Sequence, residues 1–149
     1  MIYLKIRGLP PSSNNAYFNL PRGGRVLSTE GKKYKNETKT FLAKTYQPEL
    51  RQFIPNSPYL VYMRFHFSVL QNATWGKPKG SESRYKKTDA SNRAKLLEDV
   101  LKDVSGVDDS NTMVIILEKK LAKTEEQTEV FIWNLDTEES PFDVARFSR

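Results

Sequence analysis

The stretch "YLVYMRFHFSVL", Tyr59 to Leu70, decides how the rest of the chain reads. Val61, Met63, Phe65, Phe67 and Val69 alternate with Tyr62, Arg64, His66 and Ser68. Because successive side chains of a strand point to opposite faces, the first set lines one apolar side of a long strand. Such a face needs a second layer to cover it. His66 falls on the other face and reads as a partly exposed strand residue. Upstream, "IYLKIRG" repeats the period of two, with Ile2, Leu4 and Ile6 set against Tyr3, Lys5 and Arg7, until Pro10 and Pro11 end it. Downstream, "TMVIILEKK" from Thr112 and "TEVFIWNL" from Thr128 read as two buried strands joined around the polar turn "AKTEEQ".

Two helices supply the covering layer. Ser28 can cap one that runs through about Tyr46, with Phe41 and Leu42 on its inner side and Pro48 shortly beyond its end. The other runs from about Ser91 to Val104 and carries Leu97, Val100, Leu101 and Val104 along one side. The fold expected is α+β, a small mixed sheet of about four strands with two main helices. Between these elements, "PPSSNNAYFNLPRGGRVLS" is rich in Pro, Ser, Asn and Gly and reads as loop or hairpin. "QNATWGKPKGSESRYKK" reads as a mobile basic loop in which Trp75 and Tyr85 either stack on bases or pin the loop itself. Residues 1–135 make one domain. The tail, 136–149, with Phe142, Val144 and Phe147, is either a docking arm or disordered.

A chain of 149 residues suits a single core. Its formal net charge of +6 favours a polyanionic partner, and nucleic acid is the commonest. With no cysteine and one histidine, His66, disulfides and conventional zinc sites are excluded, so any metal needs oxygen ligands. No apolar run approaches the roughly 20 residues of a membrane span, and "MIYLKIRGLPPS" lacks the apolar core of a signal peptide, so a cytoplasmic protein without membrane contact is expected.

Acidic residues then stand out at both ends of the second helix. Asp89 precedes it in "YKKTDASNRAKLLEDV", and Asp108 and Asp109 follow it in "SGVDDSN". At about 100° per residue, Asn92, Lys95 and Asp99 project from one side. Ser91 and Glu98, two turns apart, share the strip beside Lys95. If the chain reversing at Gly106 brings one of the paired acids back to Asp89, the two carboxylates repel unless a cation intervenes, and oxygen ligation suits magnesium or manganese. That arrangement would hydrolyse phosphodiesters, with Lys95 supporting the negative charge that develops. The plainer alternative is that Asp89 caps the helix while Asp108 and Asp109 are turn residues.

Taken in order, "LPPSSNNAYFN", "GRVLSTEGKKYK", "DASNRAKLLEDVL" and "GVDDSN" resemble the motifs of the RusA family of Holliday junction resolvases, common in phages and prophages. The resemblance implies a RusA-like homodimer that cuts branched DNA with magnesium held by aspartates. Matched by motif, Asp89 is the leading metal-binding aspartate, Asn92 the asparagine after it, Lys95 the catalytic lysine and Asp109 the later metal-binding aspartate. Asp108 is a secondary ligand candidate and Asp99 a further helix acid. The family pattern Asp-x-Asp-Asn is broken here by Ser91, which brings no negative charge. Helical geometry nominates Glu98 as the compensating ligand. Lys32, Lys33 and Lys35 of the first helix, with Arg84, Lys86 and Lys87 before Asp89, are the expected phosphate contacts. Two other readings stay open, a non-catalytic DNA-binding module of the same fold and a phage interaction factor that touches no DNA.

Overall fold

A computed structural model of the chain describes residues 1–142. The elements in chain order are β1 (Ile2–Arg7), α1 (Ser13–Ala16), β2 (Tyr17–Asn19), β3 (Arg25–Leu27), α2 (Thr29–Thr45), α3 (Gln47–Leu50), β4 (Tyr59–Phe67), α4 (Ala90–Ser105), β5 (Thr112–Leu121) and β6 (Gln127–Asn134). The expected α+β class holds, with α2 and α4 as the main helices and four strands in the main sheet. Their lateral order is β1-β6-β4-β5, and a separate two-stranded hairpin joins β2 to β3. β4 pairs antiparallel with β6 and parallel with β5, which makes the sheet mixed and α4 the crossover between its two parallel strands.

The core sits between the helices and one face of the sheet. Leu4, Met63, Phe65, Val130 and Ile132 meet Leu42 of α2 and Ala94, Leu97 and Val100 of α4, all essentially buried. Full burial of each large apolar side chain stabilises the fold by about 1.5–3 kcal/mol, enough to fix how α4 rotates against the sheet. Its polar flank must then face outward. Gly106 closes α4 in the left-handed conformation, φ 71°, and donates its N–H to Lys102 O at 2.9 Å. At the other main helix, Ser28 caps α2 by accepting from Gly31 N at 3.0 Å while its own hydroxyl donates to Asn15 O at 2.6 Å. A Cβ at Gly31 would lie 2.3 Å from Ala16 O, so only glycine lets α1 pack this close.

Several expectations change. β4 ends at Phe67, and Val69, outside the strand, is exposed. Phe41 is not on the inner side of α2; it lies at the helix margin, 39 % exposed, edge-on to Tyr46. His66 is buried, because Glu129 on the neighbouring strand stands 2.6 Å from its Nε2 and gives its imidazole a partner inside the layer. β5 is not a buried strand. It occupies one margin of the sheet, and Met113, Ile115 and Leu121 are exposed. β5 and β6, consecutive in sequence, are separated in space by β4.

The second face of the sheet is aromatic. Tyr62 stacks on Phe131, Phe131 on Trp133, and Phe142 of the tail stands edge-on to both Tyr62 and Trp133. Glu138 accepts from the N-terminal amine and from Asn134 N. The first part of the tail is thus docked against the sheet, while Val144 and Phe147 lie outside the described residues.

Candidate active site

The N-terminal end of α4 is built around Asp89. This residue is the helix cap, and its Oδ1 accepts both Ser91 N at 2.9 Å and Ser91 Oγ at 2.6 Å. Its Oδ2 accepts Asn92 Nδ2 at 3.0 Å. Three donors therefore fix the orientation of one exposed carboxylate. The Ser91 hydroxyl bond foremost, then the Ser91 backbone bond, holds the Asp89 carboxyl below its ordinary range, and the nearby Lys119 ammonium adds to the effect. The serine that breaks the Asp-x-Asp-Asn pattern serves here as an orienting donor to Asp89.

Cations surround this carboxylate. Lys86, Lys87, Thr88, Asp89, Ala90 and Lys119 line one open depression, and Lys119 Nζ donates to Thr88 O at 3.1 Å. Sequence reasoning missed Lys119, although a signal existed. It pairs with Phe65 in the ladder, as Ile115 pairs with Val61 and Leu117 with Met63, so the alternation of β5 places it on the helix side of the sheet. The preceding loop is organised by Asn72, whose side chain donates to Ser83 O and Tyr85 O and whose backbone N–H donates to Arg84 O. Arg84 stands over the rings of both Trp75, at 5.0 Å, and Tyr85, at 5.3 Å. Those rings pin the loop's own arginine, yet both remain about half exposed.

Midway along α4, Tyr17 of the hairpin donates its hydroxyl to Asp99 Oδ2 at 2.7 Å, and burial is the largest cause of its raised pKa. Lys95 Nζ lies 5.8 Å from the centre of the same ring, with Arg25 also over it at 5.2 Å. Asp99 is thus committed to the hairpin, and Lys95 remains exposed. Of the expected phosphate contacts, Lys35 is committed as well. It shares Asp103 with Lys39, at 3.2 and 3.1 Å, and so ties α2 to α4. Lys32, Lys33, Arg84, Lys86 and Lys87 are exposed.

The C-terminal end gathers the remaining acids. Lys102 Nζ is 2.9 Å from Asp108 Oδ2 and 3.8 Å from Asp109 Oδ1. The Lys102 bond, then those from Ser110, drive the Asp108 carboxyl far below its usual range. Glu98 shares a depression with Lys102, Asp108, Asp109 and Thr112. Its carboxyl is pushed up, by burial first and then by the charges of Asp109 and Asp99.

Asp89 and Asp109 do not converge within one chain. α4 has 16 residues, and at ~1.5 Å per residue it holds the two ends about 24 Å apart. Glu98 likewise lies two turns beyond Ser91, so it joins the Asp109 group rather than compensating at Asp89. Among the described residues no group of three or more acidic or histidine side chains could hold a metal ion. Among the described residues the acids thus stand as two separate groups, one at each end of α4, and magnesium at either would draw its remaining ligands from water and phosphate oxygens.

A basic α+β domain that presents an oriented carboxylate among lysines has the make-up of a nuclease that works on the phosphodiester backbone. The family model for the RusA endodeoxyribonucleases matches residues 8–133, and the chain belongs to that family. It is thereby placed among the endonucleases that resolve Holliday junctions. No curated protein matches the chain. Among the described residues no helix is long and apolar enough to cross a membrane.

Proposed function

We propose that this chain is a magnesium-dependent, structure-selective endonuclease that cuts four-way and other branched DNA as a homodimer, in the cytoplasm of a bacterial host and of phage or prophage origin. Residues 1–135 form its catalytic domain. The observation that carries the reading is the Asp89 carboxylate, fixed by Ser91 and Asn92 and kept ionised inside a rim formed by Lys86, Lys87 and Lys119.

Each residue then has a physical task. Lys86, Lys87, Lys119 and Arg84 draw the phosphate backbone toward Asp89, a contribution that reads no sequence and weakens steeply with salt. Lys32 and Lys33 extend that positive surface along α2. Lys95, six residues beyond Asp89 and exposed, stabilises negative charge on the phosphate under attack. Asp89, Asp109, Asp108 and Glu98 are the carboxylates of the site. Magnesium, or manganese in its place, is part of the reading as the Lewis acid of phosphodiester hydrolysis.

The second reading, a DNA-binding module that does not cut, is favoured by the separation of Asp89 from Asp109 at opposite ends of α4. A synthetic four-way junction, a linear duplex and a flap, each incubated with and without magnesium, separate the two. Paired symmetric nicks on the junction are the expected result. Retardation of the junction without cutting would leave the binding module standing instead.

A further inference from the structure

The connection between β4 and α4 differs in composition from the rest of the surface. Between Gln71 and Thr88 it carries Lys77, Lys79, Arg84, Lys86 and Lys87 against a single acid, Glu82. All of these cations are exposed. So are two large rings, Trp75 at 45 % and Tyr85 at 52 %, whereas the chain's other tryptophan, Trp133, is buried. Hydrogen bonds fix the backbone on both sides of Trp75. Its own N–H donates to Asn72 O at 3.1 Å, Lys77 N donates to Thr74 O at 3.1 Å, Gly80 N to Lys77 O at 2.9 Å and Ser81 N to Thr74 Oγ1 at 3.0 Å. The Gln71–Tyr85 bridge closes the base of the loop. The indole is therefore presented at a set place, with no buried pocket to receive it.

The rings and the arginine form one unit. The Arg84 guanidinium lies 5.0 Å from the centre of Trp75 and 5.3 Å from that of Tyr85, and cation–π attraction holds the three side chains together while about half of each ring stays open. An open aromatic face among cations suits a nucleobase on its phosphate chain, because the face stacks on any base and the lysines follow the backbone. Paired bases do not offer that face, since their neighbours in the duplex cover it. An unpaired or splayed base does. Tyr85 stands four residues before Asp89, and at ~3.3–3.6 Å per residue the two Cα atoms are at most about 14 Å apart. That span is about four nucleotides along a strand.

We infer that Trp75, held by Arg84 and flanked by Tyr85, is a stacking platform for an unpaired nucleobase, and that it captures a base displaced from the duplex within a few nucleotides of the phosphate at Asp89. The place of this platform beside a cut phosphate rests on the nuclease reading. What it recognises in a branched substrate is the unstacked base where arms part, while the lysines hold the paired arms by their backbone. Stacking reads no sequence, because every base has a face. It differs from the lysine contacts in its response to salt, which weakens phosphate contacts steeply.

Two probes separate stacking from phosphate contact in magnesium-free buffer, an oligothymidylate of about twelve nucleotides and a strand of equal length with abasic sites in place of its bases. Wild type should bind the first about tenfold more tightly, the worth of stacking one base. Tryptophan emission should be quenched by the first strand alone, and the signal belongs to Trp75 because Trp133 is buried. Trp75→Leu, which keeps an apolar side chain, should abolish both the preference and the quenching, whereas Trp75→Phe should keep most of the preference. The slope of log affinity against log salt should be the same in all three proteins. Wild type that binds both strands equally, or Trp75→Leu that keeps the preference, overturns the inference. So does a slope that falls by about 0.7 in Trp75→Leu with both strands weakened alike, since Trp75 would then be only a prop for Arg84 as a phosphate contact. On a four-way junction with magnesium, Trp75→Leu should raise KM by about tenfold with kcat kept, and an unchanged KM overturns the capture of a displaced base. Wild type that prefers the base-bearing strand yet never nicks the junction sinks the nuclease reading and leaves the stacking site standing, a different and recognisable failure.

Discussion

The two ends of α4 carry acids in opposite electrostatic settings. At the start, Asp89 receives three hydrogen bonds from neutral donors, and the lysines around its depression form no ion pair with it within 4 Å. At the end, Asp108 and Asp109 are held by Lys102, and Glu98 sits half-buried beside them with its carboxyl pushed toward the protonated form. The first end is oriented and left open to an incoming phosphate or cation. The second is neutralised internally by Lys102. Both ends obey the same rule, that a carboxylate keeps its charge only where donors or cations reach it.

The largest expected effect follows from removing the open charge. Asp89→Asn should lower junction cutting by about 10²–10³-fold, a loss of the size seen when a preorganised charged or hydrogen-bonding group at a reacting phosphate is deleted. Affinity for the uncut junction should be kept or rise, because one negative charge leaves a basic rim. Nicking assays beside gel retardation check both, and a loss of binding in step with cutting would make Asp89 a mere helix cap. Glu98→Gln probes the other end. Cutting should fall by at least about tenfold with binding unchanged, and unaltered cutting would remove Glu98 from the site.

A smaller effect tests what Ser91 does. Ser91→Ala deletes the 2.6 Å hydroxyl bond to Asp89 but leaves the backbone bond. Cutting should drop by about tenfold, the usual cost of losing a group that orients a functional carboxylate. Ser91→Asp, which restores the family's second acid, should instead set beside Asp89 a like charge that a divalent cation relieves, and so lower the magnesium concentration needed for half-maximal cutting in a titration of the nicking assay. Full activity of Ser91→Ala would show that the Asn92 and backbone bonds alone set the geometry.

Much of this contrast is legible in the sequence, and the reasons for the remainder are physical. The alternation in Tyr59–Phe67 and the apolar stripe of α4 survive because side-chain direction follows from backbone period alone. The cluster of Asp89, Ser91 and Asn92 is equally local, since a helix cap is completed by residues two and three positions on. What periodicity cannot carry is lateral position. Nothing in "TMVIILEKK" says that β4 occupies one edge of the strand and that no other described strand pairs with it, so β5 reads as buried and Lys119 passes unnoticed. His66 reads as exposed for the same reason, because Glu129 lies 63 residues away and arrives only through strand pairing. The separation of Asp89 from Asp109, by contrast, was available from helix length. A helix of four turns cannot bring its own flanks together.

The smallest effect is on stability, and it sharpens the comparison because Glu98 has the opposite sign to Asp89 and Asp108. The Asp89 and Asp108 carboxyls are lowered in the folded chain, so the stability they contribute is present above the ordinary aspartate value and is lost as pH falls through their folded values. The Glu98 carboxyl is raised, so its burial beside Asp109 and Asp99 burdens the fold at neutral pH. That burden is relieved as pH falls through its folded value and is gone below the ordinary glutamate value. Urea midpoints measured from pH 7 down to pH 3 should therefore show wild type gaining on Glu98→Gln as the glutamate takes up its proton, before both lose stability at lower pH as the aspartates are protonated.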